Sequence, residues 1–334
     1  MPYELPVVGR VLTNAVSGPS NPSPPRPPHS VRRTSTIDID FPDGLTASRR
    51  VRGRARDFLT NGQETKVLAD DVLIATVNPD RSYEFLFSFP DRPALQALVG
   101  PEGTPNSRRV MNALVPEEQG AGSPLYLLLD DMPGALFISG HVLVEWIAPE
   151  ERMTAMSGDF MAPVDVCMGY AAGSNAIGDD GKCLLIHQVQ PAGPLMTEED
   201  PLAWHKLQDE SDQPALRRAR RIDTWLDGDI HFDAYFQDSS TTPHHGRVAV
   251  HEYCLSGTAD FHTGELLTLK VDPRVLPFDA CPQATKNVHR MIGIPLQQFR
   301  QAVVEQLPGT LGCTHLNDAL RALAEVPIMV TSLQ

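Results

Sequence analysis

Two cysteines and two histidines near the C-terminal end have the types and spacing to do chemistry. In Gly312-Cys313-Thr314-His315-Leu316 a thiol and an imidazole stand two residues apart. There a small-residue turn gives way to a helix whose Leu316, Leu320 and Leu323 recur at helical spacing. A thiol at a helix N-terminus faces the positive end of the helix dipole, which lowers its pKa and suits a nucleophile or a metal ligand. Cys281 is placed similarly, just ahead of Pro282, a residue favoured at the first helical position. His251 opens a strand in the same region. Together His251, Cys281, Cys313 and His315 make a donor set suited to zinc or iron. His315 is also the expected general acid or base. Cys313 beside it and Asp165, in a Gly-containing loop, are the further catalytic candidates. The competing reading is structural, because buried cysteines often serve as small apolar residues and a Thr-His pair can merely cap a helix. Cys183 and Cys254 fall in strand-like stretches and are expected in the core. No Gly-rich phosphate loop, serine-hydrolase elbow or HExxH pattern occurs, so no nucleotide cofactor is expected.

The elements that position these residues occur twice. Arg32-Arg33-Thr34-Ser35-Thr36-Ile37-Asp38 precedes Asp43-Gly44, and Arg217-Arg218-Ala219-Arg220-Arg221-Ile222-Asp223 precedes Asp227-Gly228. An Asp-Gly pair between alternating segments is a hairpin signal. Each set continues through a second polar turn, at 56–62 and at 237–246. Two strands follow in each, 67–77 then 83–89, and 248–259 then 266–271. Helical runs come next at 94–99 and 108–114, and at 284–292 and 296–304. Both sets close on a small-residue turn, Ser123 answering Cys313, and Asp70 answers His251. This order predicts an α+β fold of two tandem, diverged copies, each an antiparallel sheet with helices on one face, paired as an intramolecular pseudo-dimer. The expected domains are a disordered Pro-rich arm at 1–30, a first copy without cysteines at 31–144, an insert or lid at 145–215, and a second copy carrying the Cys/His site at 216–330.

The formal charge of -14 argues against nucleic acid and anionic membrane surfaces as partners. No apolar run is expected to reach the roughly 20 residues of a membrane span. Five cysteines, an odd number without a secretory start, suit free thiols and a cytoplasmic location.

The run from His251 through Pro277-Phe278-Asp279-Ala280-Cys281 to Gly312-Cys313-Thr314-His315-Leu316 resembles a bacterial family known only as domain of unknown function 2889. That resemblance implies no reaction. A more distant likeness is to iron-sulfur scaffolds of the NifU/IscU type, in which Cys281 and Cys313 would occupy two of the three cluster-binding positions and His251 would stand near the third. The expectation is a small-molecule enzyme of the lyase, isomerase or hydrolase type, acid/base or metal-assisted, with its pocket between the copies. The alternative is a metal or iron-sulfur carrier working through a partner protein. A homodimer is a further expectation.

Overall fold

The computed structural model describes residues 16–100, 107–148, 151, 161–184, 188–208, 212–244 and 246–334. Among these, nine strands build one continuous antiparallel sheet. They are β1 (Ser30–Asp40), β2 (Arg49–Asn61), β3 (Glu64–Val77), β4 (Tyr83–Phe89), β5 (Gln190–Pro191), β6 (Ala215–Asp227), β7 (Asp229–Thr241), β8 (Arg247–Ala259) and β9 (Leu266–Val275). The order runs β4-β3-β2-β1-β6-β7-β8, and both β9 and the short β5 pair with β8. Strands β1 to β4 and β6 to β9 thus lie in mirrored order about the β1–β6 seam, whose register runs from Ser30 opposite Trp225 to Asp40 opposite Ala215.

The helices are α1 (Ser107–Leu114), α2 (Pro116–Ala121), α3 (Pro124–Ile138), α4 (His141–Trp146), α5 (Phe299–Gln306), α6 (Thr314–Ala322) and α7 (Val326–Thr331). Side chains alternate along a strand, so one face of the sheet collects Val51, Ala55, Leu73, Ala75 and Val77, which close with α3 into one core. The same face of the other strands presents Phe232, Ala234, Phe236, Tyr253 and Leu255 to α5, α6 and α7. The opposite face is covered at its centre by Leu195, Ala203 and Trp204 against Ala219 and Tyr235.

Helix α3 has no clear apolar stripe because twelve of its fifteen residues are buried, and a helix buried all round carries no amphipathic period. Ser123 caps it, its Oγ accepting from Tyr126 N at 3.1 Å. Against the sequence expectation, the stretch Pro124–Trp146 is long and apolar enough to cross a membrane, with a mean hydropathy of 1.4 over an 18-residue window. However, 72% of that window is buried inside the protein, and Asp130 and Asp131 within it pair with Arg321 and Arg220. This is how a core helix behaves.

The expected disorder of residues 1–30 is corrected where the chain is described, from residue 16. Ser17 and Gly18 donate to the Pro273 and Arg274 carbonyls, Ser20 bonds Glu252, and Arg26 pairs with Asp200 at 2.9 Å. Proline bars a regular ladder there, but polar side chains tie the extended segment down. The polar turn expected at 237–246 is shorter, because β7 continues to Thr241 with Gln237 to Thr241 all buried.

Candidate functional site

The end of β7, the start of β8 and the first turn of α6 meet at one point. On β7, Phe232, Ala234, Phe236 and Asp238 alternate onto the helix-covered face. On β8, His251 stands directly opposite Asp238, just before the register shifts at a bulge after Asp238. His315 enters from α6, in whose first turn it lies. That helix is fixed by the turn before it. A Cβ on Gly312 would run into the Leu307 carbonyl and the Asn317 side chain. Asn317 Nδ2 donates to that carbonyl at 3.2 Å.

His251 Nδ1 lies 3.4 Å and His315 Nε2 3.8 Å from Asp238 Oδ2, and the donor atoms of the three residues all fall within 4.8 Å of one another. The two imidazoles are stacked, with ring centroids 3.3 Å apart and planes inclined by 16°. Asp238 is fully buried, while the His315 side chain keeps 11% of its surface exposed. Behind the carboxylate, Arg218 Nε donates to Oδ1 at 2.8 Å and Nη2 to Oδ2 at 3.0 Å. Arg218 also donates to Asp318 Oδ2 at 3.0 Å. His315 Nδ1 sits 3.3 Å from the Thr314 hydroxyl.

The electrostatics follow from this burial. Desolvation and the facing His251 push His315 well below the usual imidazole range. Desolvation lowers His251 as well, outweighing the opposing pull of Asp238. Burial alone would raise Asp238, but the Arg218 charge and the hydrogen bonds to its oxygens carry it well below the usual carboxylate range. The centre therefore holds two neutral imidazoles and one carboxylate anion at neutral pH.

The predicted residues thus separate into two groups. His251 and His315 come together, joined by Asp238. Cys281 and Cys313 lie to one side with Cys167 of the insert, where all three thiols are within electrostatic reach of the buried Tyr253 hydroxyl. The sequence expectation of a lowered thiol pKa is corrected. Cys313 is the N-cap of α6, but burial pushes it up to about 11 and pushes Cys281 well above the ordinary thiol. Removing an anion from water outweighs the field of one helix terminus. Asp165 joins neither group. It is exposed in the insert, and its Oδ1 accepts from Ala172 N at 3.0 Å, holding its own loop.

That loop packs over the cysteine turn, Met168 N donating to the Gly312 carbonyl at 2.9 Å. A Cβ on Gly169 would lie 2.7 Å from Cys281 Sγ and 3.8 Å from Cys167 Sγ, so glycine is what lets the insert approach the thiols. Sequence reasoning missed Asp238 and Arg218. The available signal was the alternation of Phe232, Ala234 and Phe236, which carried on by two more residues reaches Asp238.

The strands β1 to β4 offer an internal comparison. There Arg33 donates to Asp57 at 2.6 and 2.5 Å, and Asp57 stands opposite Ala69 beside a bulge. The register there sets Ala69, not Asp70, against Asp57. Two residues after the Ser123 cap comes Leu125, as His315 comes two residues after Cys313.

Residues 216–329 match the model of a family described as a protein of unknown function (DUF2889). The matched stretch runs from β6 into α7 and contains Arg218, Asp238, His251, Cys281, Cys313 and His315. No curated protein and no solved structure matches the chain.

Proposed function

We propose that this chain is an enzyme acting on a small molecule, by lyase, isomerase or hydrolase chemistry, at the centre formed by Asp238, His251 and His315. The observation that carries this reading is the meeting of two imidazoles with a buried carboxylate, the His315 side chain keeping 11% of its surface exposed. Neutral imidazole accepts a proton, and a fixed anion beside it stabilises the imidazolium that forms. In this reading His315, the more exposed ring, exchanges the proton with substrate. Asp238 stabilises the charge, and Arg218 holds the carboxylate in place.

We read β1–β4 with α1–α4 and β6–β9 with α5–α7 as diverged copies of one unit, paired through β1 and β6. Support comes from the mirrored strand order and from the repeated Arg33–Asp57 and Arg218–Asp238 pairs. On that reading the first copy kept its clamp and carries Ala69 and Leu125 where the second has imidazoles, so it serves as scaffold. The carrier alternative calls for exposed, exchangeable thiols. Cys281 and Cys313 are 3% and 2% exposed, which favours the enzyme.

The test is to assay the purified chain against a panel of esters, lactones and hydroxy acids beside His315→Gln. Turnover abolished in a folded His315→Gln supports the assignment, and turnover that survives in the variant refutes it.

A further inference from the structure

We infer that Asp238, His251 and His315 bind one divalent transition-metal ion, with zinc the ion the spacing suits best. This rests on the preceding reading of the site and gives it a cofactor. Three observations carry it. His251 Nδ1 is buried, is 3.4 Å from Asp238 Oδ2, and has no hydrogen-bond partner among the described residues. Its contact with the carboxylate is thus too poorly aligned for a hydrogen bond, and an ion shared by the two atoms would satisfy both. Second, the donor separations match a shared ion better than they match hydrogen bonds. Ligands held about 2.0–2.1 Å from a tetrahedral zinc lie about 3.3–3.4 Å from one another, against roughly 3.0 Å around an octahedral ion. The separations to Asp238 Oδ2 here are 3.4 and 3.8 Å, and the two imidazole donors lie within 4.8 Å of each other, nearer the tetrahedral spacing than the octahedral one.

Third, the donors are held in place by their neighbours. Asp238 is oriented from behind by Arg218, and His315 Nδ1 is held near the Thr314 hydroxyl. Such outer partners are what fix ligands in metal sites. The near-parallel rings must splay for both nitrogens to aim at one point, a turn about their Cβ–Cγ bonds. Three protein donors leave a coordination position open, the pattern of catalytic rather than structural zinc. A bound divalent ion there supplies Lewis-acid polarisation of a substrate oxygen. The thiols stand outside this donor set, since the group whose donor atoms all lie within 4.8 Å consists of Asp238, His251 and His315.

The test uses the full chain, purified without an affinity tag and stripped with EDTA, then titrated with zinc sulfate and, separately, cobalt(II) chloride. We expect one zinc per chain by elemental analysis. The affinity should fall by about 100-fold or more in His251→Gln and in His315→Gln, and stay within threefold in Cys281→Ser. Cobalt should give a visible spectrum without the near-ultraviolet thiolate band. Circular dichroism identifies the folded variants, and zinc should raise the Tm of the wild type but not of a folded His251→Gln. Absence of stoichiometric zinc in the wild type overturns the inference. So does zinc that survives both histidine variants but is lost in Cys281→Ser. Turnover that persists after EDTA stripping and still depends on His315 would leave the acid–base reading standing and the metal inference fallen. Histidine-dependent zinc with turnover indifferent to His315→Gln would do the reverse.

Discussion

Arg218 and Asp238 face each other across β6 and β7 through two hydrogen bonds of 2.8 and 3.0 Å, both fully buried. The same clamp joins Arg33 to Asp57 across β1 and β2. A buried charge that loses its partner costs about 3–5 kcal/mol, more than the intact pair contributes. Arg218→Ala should therefore destabilise the chain by about that much in urea unfolding, since it strands Asp238. Replacing both residues together, Arg218→Met with Asp238→Leu, should cost clearly less. A double variant as unstable as the single would show that the charge pair is not what sets the cost.

A second prediction concerns acid. His205 is buried between Thr34 and Thr36, whose hydroxyls lie 2.9 Å from its two ring nitrogens. Burial, and then the nearby Arg54, Arg56 and Arg217 charges, lower its pKa to about 3 from an ordinary 6.5. The unfolded chain takes up this proton near 6.5 and the folded chain does not until about 3, so folding opposes protonation. Stability from this group is therefore whole above the unfolded value and falls by about 1.4 kcal/mol per pH unit below it. His251 and His315, also lowered, add slopes of the same sign. His205→Gln keeps the hydrogen-bonding role and should make the decline between pH 6.5 and pH 5 shallower by about 1 kcal/mol per unit, the unfolded imidazole being half protonated at the upper end. An unchanged slope in chemical denaturation across that range would dismiss this account.

A third prediction isolates the contact between the insert and the thiols. Gly169→Ala puts a methyl 2.7 Å from Cys281 Sγ, an overpacking expected to cost about 1–3 kcal/mol. Cys281→Ala removes that sulfur and costs something itself, but in the double variant the two penalties should not add. A coupling of about 1 kcal/mol or more in the cycle is expected. Strict additivity would mean the insert yields without strain.

Gly134 gives a case in which two effects compete. In a helix interior, alanine is worth about 1 kcal/mol over glycine. Here, however, the added Cβ would press on Arg218 Nη1 and lie 2.6 Å from Asp318 Oδ2, where α3 meets α6. Both atoms belong to paired buried groups that cannot swing away, so the clash should win. Gly134→Ala should lower stability in urea by about 1–3 kcal/mol despite its better propensity. A gain in stability would show that α3 can shift.

Much of the sheet was legible from residues. Alternation in Tyr83–Phe89 placed β4 at its observed ends, and the Asp227-Gly228 pair marked the hairpin between β6 and β7. The turn before α6 was also legible, because Gly312 and the spacing of Leu316, Leu320 and Leu323 are local signals. The meeting of His251 with His315 could be suspected only because both bordered predicted elements. Asp238 falls in what looks like a turn, since Gln237-Asp238-Ser239-Ser240-Thr241 is polar throughout. Only partners distant in sequence, Arg218 and His251, make such a run a buried strand end. For the same reason the helix-start positions of the thiols suggest more reactivity than their burial allows. The insert residues that bury them, Met168 and Gly169, carry no sequence sign of where they dock.

The β1–β6 seam has a consequence for how the chain reaches this state. Its eleven facing residue pairs join strands separated by well over a hundred residues. The seam is thus a non-local contact of the kind that slows folding through loop-closure entropy. During synthesis β1 leaves the ribosome long before β6, so its outer edge stays unpaired in the interval. Unpaired strand edges recruit other strands. The edge of Ser30–Asp40 is thus open before the second half is made, and sheltering it until Ala215–Asp227 arrives is expected to raise the yield of folded chain.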